Sequence, residues 1–424
     1  MRAPRHVSPS LAVVTFALAL AGTGCSKDIP QLEELTPLSP ASGDANAGNW
    51  RMIVLSGPSQ FAVAHPAPTT SDGYRAELAA IKAAQASLTD AQRDSIQYWS
   101  AGGVLRWNQI LRELVARYNL PPAPRDNGSY VFPDVNNPFA DPAFPFSNPP
   151  YAARAYSYVA VAQFEALKVA WSYKYQYNRP APSRVDSGIQ ALIPTGDLPA
   201  YPSEDAVLSG VSTELLRLLF PAAVEEIPTD VVNERPGPPP STSSEQMRQE
   251  VAEVKRTVET LTGDQLAIAQ RWNDGVSTYT PPGHWNDIAT EYIRDARLSE
   301  VRAARAFALL NMAMHDAGVG CWDAKFYYFN PRPTQLDPSI KTVSGLPNFP
   351  AYTSGHSTFS AAASAVLAYL FPSGAAGFGA MRDEAGISRL YGGIHYPADI
   401  ERGKEHGERI GGYTVRFARQ DGAD

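Results

Sequence analysis

Three short stretches in the last quarter of the chain gather side chains suited to holding and attacking an oxyanion. In "KFYYFNPRP", Lys325 and Arg332 stand seven residues apart, two helical turns, which would set both cations on one face of an unbroken helix. Pro331 and Pro333 predict instead that the helix stops first, leaving Lys325 in its last turn and Arg332 on the segment that follows. In "TSGHS", Ser354 suits a helix N-cap, so the N–H groups of Gly355 and His356 would point out of a helix start, where anions bind readily. Gly355 adds no Cβ to obstruct the approach. In "SRLYGGIHYPAD", Arg389, His395 and Asp399 combine a cation, an imidazole and a carboxylate. Asp399 is placed to accept one N–H of His395, fixing the tautomer and leaving the other nitrogen as a nucleophile or a ligand.

Each stretch alone has a plainer reading: a cation complementing a helix C-terminus, ordinary capping, a structural histidine beside a capping aspartate. Together they supply three cations, neutral donors at Ser354 and Gly355, and two imidazoles for proton transfer and attack. That is the donor set of a tetrahedral-oxyanion site, in a chain whose net charge is −7. Charge-assisted hydrogen bonds contribute about 1.5 to 3 kcal/mol each, so several converging donors would hold a multiply charged anion without metal-binding carboxylates.

The order K-x6-RP, Ser-Gly-His, SR-x5-H-x3-D resembles the superfamily of type 2 phosphatidic acid phosphatases, bacterial class A acid phosphatases and vanadium-dependent haloperoxidases. These motifs span Lys325 to Asp399. The words "PPGHWNDIA", "WDAKF" and "SRLYGGIHY", with the long helical region before them, resemble the haloperoxidase-like branch. Thr353 departs from the family pattern, which has proline before Ser-Gly-His. In a phosphatase, the resemblance implies attack by His395 on phosphorus to give a phosphohistidine, with Asp399 orienting it and His356 protonating the leaving group. In a haloperoxidase it implies vanadate as cofactor, His395 as the vanadium ligand, and His356 handling the proton of hydrogen peroxide. Lys325, Arg332, Ser354, Gly355 and Arg389 bind the oxyanion in either case. Phe349, seven residues before His356, falls where the haloperoxidase branch carries a residue linked to halide choice. The reaction expected is halide oxidation by hydrogen peroxide, the alternatives being acid or lipid phosphatase activity and non-catalytic phosphate binding. Trp322, Tyr327, Tyr328 and Phe329 are candidates for the pocket mouth, with core or rim packing as the plainer role. His284 and His315 are candidates for supporting groups, with a structural role as the plainer one.

The elements that must position these residues read as helices. Ala-rich segments with apolar positions three and four apart, and no alternating runs or hairpin signals, predict an all-α fold. "GHSTFSAAASAVLAYLF" is dominated by small residues, which allow close helix approach and predict a central helix.

The chain also repeats itself. From Pro199 and from Pro350, 9 of 23 aligned positions are identical. "AARAYSYVAVAQFEALKVAWSYK" from Ala152 matches "AARAFALLNMAMHDAGVGCWDAK" from Ala303 at the same offset of 151 residues. Upstream, "LTDAQRDSIQYWSAG" echoes "LTGDQLAIAQRWNDG", and "RWNQI" echoes "HWNDI". These echoes predict two related helical bundles from an internal duplication, residues 73–233 and 246–424, joined by the Pro-rich stretch 234–245, with the active site in the second. The first copy keeps Lys174 but has Glu204 and Asp205 where the second has Gly355 and His356. Carboxylates there oppose anion binding while suiting a helix start.

The N-terminus, with Arg2 and Arg5 before "LAVVTFALALAG", reads as an export signal over 1–25, too short to span a bilayer. "GTGCSKD" resembles a bacterial lipoprotein processing site that would acylate Cys25, although Gly22 stands where an aliphatic residue is usual; "ALALA" suits ordinary signal peptidase. The expected location is the bacterial cell envelope, with membrane contact only through that lipid. Residues 26–72 read as a tether. Cys321, the second of two cysteines, reads as a small buried hydrophobe. The net charge argues against a nucleic-acid partner; the expected partners are a small-molecule or inorganic anion and hydrogen peroxide. No feature specifies an oligomeric state.

Overall fold

The computed structural model describes residues 35–118, 149–193, 198–219, 235–275 and 278–423, whose regular elements are all helices, with no strand among them. Helices α1 (Asp72–Ala86), α2 (Asp90–Trp99) and α3 (Gly103–Tyr118) precede the long α4 (Pro149–Tyr177), the short α5 (Pro182–Val185) and α6 (Glu204–Leu219). The second half adds α7 (Glu245–Glu259), α8 (Gly263–Arg271), α9 (Thr280–Asp295), the long α10 (Glu300–Tyr328), the short α11 (Pro333–Leu336), α12 (Gly355–Leu370), α13 (Ala375–Tyr391) and α14 (Pro397–Ala418).

Local sequence sets these limits. The echoed phrases at Leu88 and Leu261 start helices by the same device: Thr89 with Gln92, and Thr262 with Gln265, exchange side-chain and backbone hydrogen bonds in capping boxes. Helix α10 stops at Tyr328 and Phe329 turns left-handed (φ 49°) ahead of Pro331 and Pro333, as the prolines require.

Adding 151 to the bounds of α4, α5 and α6 gives those of α10, α11 and α12. The correspondence reaches single bonds. Lys174 Nζ donates to Pro199 O at 2.7 Å and Lys325 Nζ to Pro350 O at 2.9 Å; Ala200 N donates to Arg179 O and Ala351 N to Asn330 O. The halves are not separately cored. One continuous buried cluster takes Phe164 and Trp171 from α4, Phe307 and Met314 from α10, and Phe359 and Leu367 from α12.

Helix α12 is central, as its small residues predict, and its partner surface is a glycine row. A Cβ on Gly403 of α14 would lie 2.8 Å from Ser354 O, on Gly407 2.1 Å from Thr358 O, and on Gly411 2.8 Å from Ala362 O. Four-residue spacing puts these glycines on one face. They bring the start of α14, with Asp399, against the start of α12; Ser354 N donates to Asp399 O at 3.0 Å.

The tether expected over 26–72 is corrected for residues 35–71, which lie on the helices. Trp50 is buried, Trp171 Nε1 donates to Gly43 O, and the N–H groups of Ile53, Val54 and Leu55 all donate to the buried carboxylate of Glu165. Lys168, fully buried in α4, balances that charge at 2.6 Å and donates to Arg51 O. A Pro-rich segment docks because these groups need partners once buried. The join between halves is also held down: Arg235 pairs with Asp323 and Tyr328 Oη donates to Pro236 O at 2.6 Å. Cys321 is a free, buried thiol. The export signal, Cys25, and residues 220–234 lie outside the described residues. Among the described residues no helix is long and apolar enough to cross a membrane.

Candidate active site

The last turn of α10 delivers Lys325, the segment before α11 delivers Arg332, and the end of α13 delivers Arg389; all three are buried. The starts of α12 and α14 supply Ser354, Gly355 and His356, and Asp399, with His395 just ahead of α14. The structure therefore brings the eight residues read from the motifs to one place. Lys325 Nζ donates to Pro350 O and Ala351 O at 2.9 and 3.0 Å, while Arg332 Nη2 donates to the same Pro350 O at 3.3 Å. Arg332 Nε donates to Phe349 O, and Nη1 to Ile394 O. Arg389 Nε donates to Ser388 Oγ and Nη2 to Ala269 O. Main-chain carbonyls thus hold both guanidinium groups in place.

The orientation of His395 is unambiguous. Arg332 Nη1 lies 3.0 Å from Nε2, and because arginine can only donate, Nε2 carries the lone pair. Nδ1–H then donates to Asp399 Oδ2 at 2.9 Å, which also accepts from Tyr396 N at 3.2 Å. Burial, then Arg332 and Lys325, hold the His395 imidazole well below its ordinary pKa, so it is neutral, with the Nε2 lone pair accepting from Arg332. Burial lowers Lys325, with Arg332 adding to the effect, and brings Arg332 and Arg389 down to about 10 each. Both arginines stay charged at neutral pH. Asp399 is shifted upward by burial, with the Tyr396 N–H and Lys325 opposing.

Helix α12 begins at Gly355, and Ser354 Oγ accepts from Ser357 N. The first N–H groups of a helix have no carbonyl of their own helix to bond, so this start, with Arg389 close enough to act on His356, is suited to an anion. Phe349 lies under them: its ring is 5.2 Å from Lys325 Nζ, 5.3 Å from the Arg332 guanidinium, and 4.9 Å from the Trp322 ring. Trp322 also stands over Gly355, at 3.5 Å from the position of a Cβ. Tyr327 and Phe329 are exposed; Tyr327 carries the Arg235 guanidinium on its ring, and Tyr328 is tied to Pro236. Of the four aromatics expected at the mouth, Trp322 meets the site directly. His315 packs near Tyr158 of α4, ten residues before Lys325 and so about 15 Å away along the helix.

One residue escaped the sequence reading. Asp274, buried in the turn after α8, lies 3.7 Å by Oδ2 from His356 Nε2 and 3.1 Å from His284 Nδ1. Its sequence context, "RWNDG", carries only a turn signal; the informative clue was a histidine nearby in the chain at 284. Burial and Arg389 push His356 down to about 4, with Asp274 opposing.

The first half has a closed version of this arrangement. Lys174 Nζ is paired with Glu204 Oε2 at 2.7 Å, so a carboxylate of the chain occupies the helix start that Gly355 leaves open in the second half. Burial raises Asp205 beside it.

A family model of the PAP2 superfamily matches residues 305–420. Among solved structures the fold is similar to that of a bacterial vanadium-dependent iodoperoxidase, with TM-score 0.52 and 22% identity over 74% of this chain and 95% of that one. A bacterial vanadium-dependent chloroperoxidase in its apo form aligns with TM-score 0.44 and 10% identity over 75% of this chain and 93% of that one. At such identity the likeness concerns the fold. No curated protein matches the chain.

Proposed function

We propose, from the match of a PAP2-superfamily model to residues 305–420, that the chain is a vanadate-dependent, haloperoxidase-like enzyme that oxidises halide with hydrogen peroxide. The observation that carries the reading is one atom, His395 Nε2: a neutral ring nitrogen, tautomer held by Asp399, set beside Arg332 near the buried Lys325 and Arg389 side chains. The donor set fits vanadate, whose oxygens Lys325, Arg332, Arg389 and the α12 start would bind, with His395 as the vanadium ligand. Vanadate would supply a Lewis-acid centre that activates peroxide. The chain's residues would hold it in place and balance the charge at its oxygens, and His356 would handle the proton of the incoming peroxide. The apolar ring of Phe349 favours a small anion such as halide over a sugar or nucleotide. Likeness of fold to the iodoperoxidase agrees with this reading.

The same atom supports a second reading, phosphate-ester hydrolysis. His395 Nε2 would attack phosphorus, the alcohol would leave with a proton from His356, and water would cleave the phosphohistidine, with the three cations stabilising charge at the equatorial oxygens. The deciding experiment loads the protein with orthovanadate and measures monochlorodimedone halogenation with chloride, bromide and iodide, beside p-nitrophenyl phosphate hydrolysis without vanadate. Vanadate-dependent turnover supports the first reading. Hydrolysis lost in His395→Ala, with no halogenation, replaces it by the second. Tight phosphate binding by calorimetry without either turnover replaces both by a binding protein.

The 151-residue correspondence between α4–α6 and α10–α12 supports an internal duplication in which the first copy lost its anion site. Export to the bacterial cell envelope and acylation of Cys25 remain part of the proposal; labelling with a fatty-acid probe, lost in Cys25→Ser, tests them.

A further inference from the structure

His284 belongs to none of the three motifs, yet it shares a carboxylate with one of their histidines. From α9, its Nδ1 lies 3.1 Å from both oxygens of Asp274. Its ring is stacked on Trp272, centroids 4.3 Å apart and planes at 27°, with the Tyr279 ring edge-on at 6.0 Å. The Asp274 side chain is fully buried between His284 and His356, whose Nε2 stands 3.7 Å from the same Oδ2 and has no hydrogen-bond partner. One buried carboxylate therefore has two imidazoles beside the same oxygen.

We propose that His284 is a positioning residue for His356, acting through Asp274. By donating Nδ1–H it engages the carboxylate, holds it in place with the Trp272 stack, and limits how strongly Asp274 draws a proton onto His356. The electrostatics run the same way. Burial opposes the charge on Asp274, but His284 and then His356 hold its carboxyl below the usual carboxylate range. Arg389 acts on both Asp274 and His356. The Tyr279 ring faces His284 edge-on and donates from its hydroxyl to Asp287 Oδ2 at 3.5 Å, and Glu384, paired with Arg271, accepts from the indole N–H of Trp272. The inference rests on the reading of His356 as the group that handles the substrate proton, and it adds a charge-setting partner from outside the motifs.

His284→Phe keeps a ring to stack on Trp272 and removes the donor, whereas His284→Asn places an amide N–H where Nδ1–H was. The measurement is the NMR titration of His356 in protein labelled at histidine Cε1, with its signal among the seven histidines assigned by its loss in His356→Asn. Freed from His284, Asp274 holds the His356 proton more strongly, so in His284→Phe the His356 titration moves up by about one pH unit. In His284→Asn it stays near the wild-type position. In an Asp274→Asn background, His284→Phe produces no further shift. An unmoved titration in His284→Phe, or the same shift persisting without Asp274, overturns the proposal; His284→Leu serves the same comparison if the Phe variant does not fold. Because the titration needs no turnover, it stands whether halide oxidation, ester hydrolysis or neither is found. Where one is found, its His356-dependent pH limb moves by the same amount in kcat and leaves KM unchanged.

Discussion

Arg332 Nη1 stands 3.0 Å from His395 Nε2, and Asp399 Oδ2 stands 2.9 Å from the opposite ring nitrogen. A donor on one side and an acceptor on the other leave a single tautomer, and the nitrogen that faces the cations is the one with the lone pair. Arg332 itself is aimed by the carbonyls of Phe349, Pro350 and Ile394. The site is therefore built before an anion enters it, which is the condition for strong electrostatic stabilisation.

That preorganisation makes Arg332 hard to replace. Arg332→Lys keeps a charge but loses the planar fork that reaches three carbonyls and His395 at once. Loss of one charge-assisted hydrogen bond costs about 1.5 to 3 kcal/mol, or roughly 10- to 150-fold in affinity. Vanadate titration by calorimetry should show this weakening, and wild-type affinity in Arg332→Lys would contradict the assignment.

The open and closed helix starts predict opposite responses. His356→Ala should abolish turnover while circular dichroism and melting temperature stay near wild type. Asp205→His should create no second activity, because Lys174 remains neutralised by Glu204. Activity retained in a His395→Ala, Asp205→His double variant would refute the division of labour between the halves.

Acid should destabilise the fold through buried histidines. Burial holds His356 and His406 down at about 4 each, against about 6.5 in an unfolded chain. Between those values the unfolded state binds protons that the native state does not. Stability is then fully present above about pH 6.5 and falls as the pH drops toward 4, each histidine adding a slope approaching about 1.4 kcal/mol per pH unit. His406 is the cleaner test, since it lies in α14 away from the anion site with neither ring nitrogen hydrogen-bonded. His406→Leu should raise the melting temperature and flatten its decline between pH 6 and 4.5; an equally steep decline would count against this account.

Close contact between α12 and α14 sets the distance between His356 and His395. Gly407→Ala places a Cβ 2.1 Å from the Thr358 carbonyl, and separating the helices costs about 1 to 3 kcal/mol or more. Chemical denaturation should register that loss, accompanied by a drop in kcat as the start of α14 moves from that of α12. Gly412→Ala, whose nearest contact is a flexible Arg416 side chain at 3.7 Å, should be near wild type in both.

The amino-acid sequence by itself determined the all-helical class, the end of α10 and the start of α12, and which side chains gather at the candidate site. Each of these depends on neighbours in the chain: Pro331 and Pro333 stop α10 after Lys325, Ser354 caps α12, and His395 and Asp399 are one turn apart. What only the tertiary structure decided depends on residues far apart in sequence. Asp274 reaches His356 across 82 residues, and nothing in "RWNDG" says that its carboxylate is buried rather than solvated at a turn. The segment read as a tether packs because Glu165 and Lys168, deep in α4, find partners in Arg51 to Leu55, a demand that burial creates and composition does not reveal. The glycine row of α14 was present in the sequence without its meaning, since a missing Cβ matters only where another backbone comes within its reach.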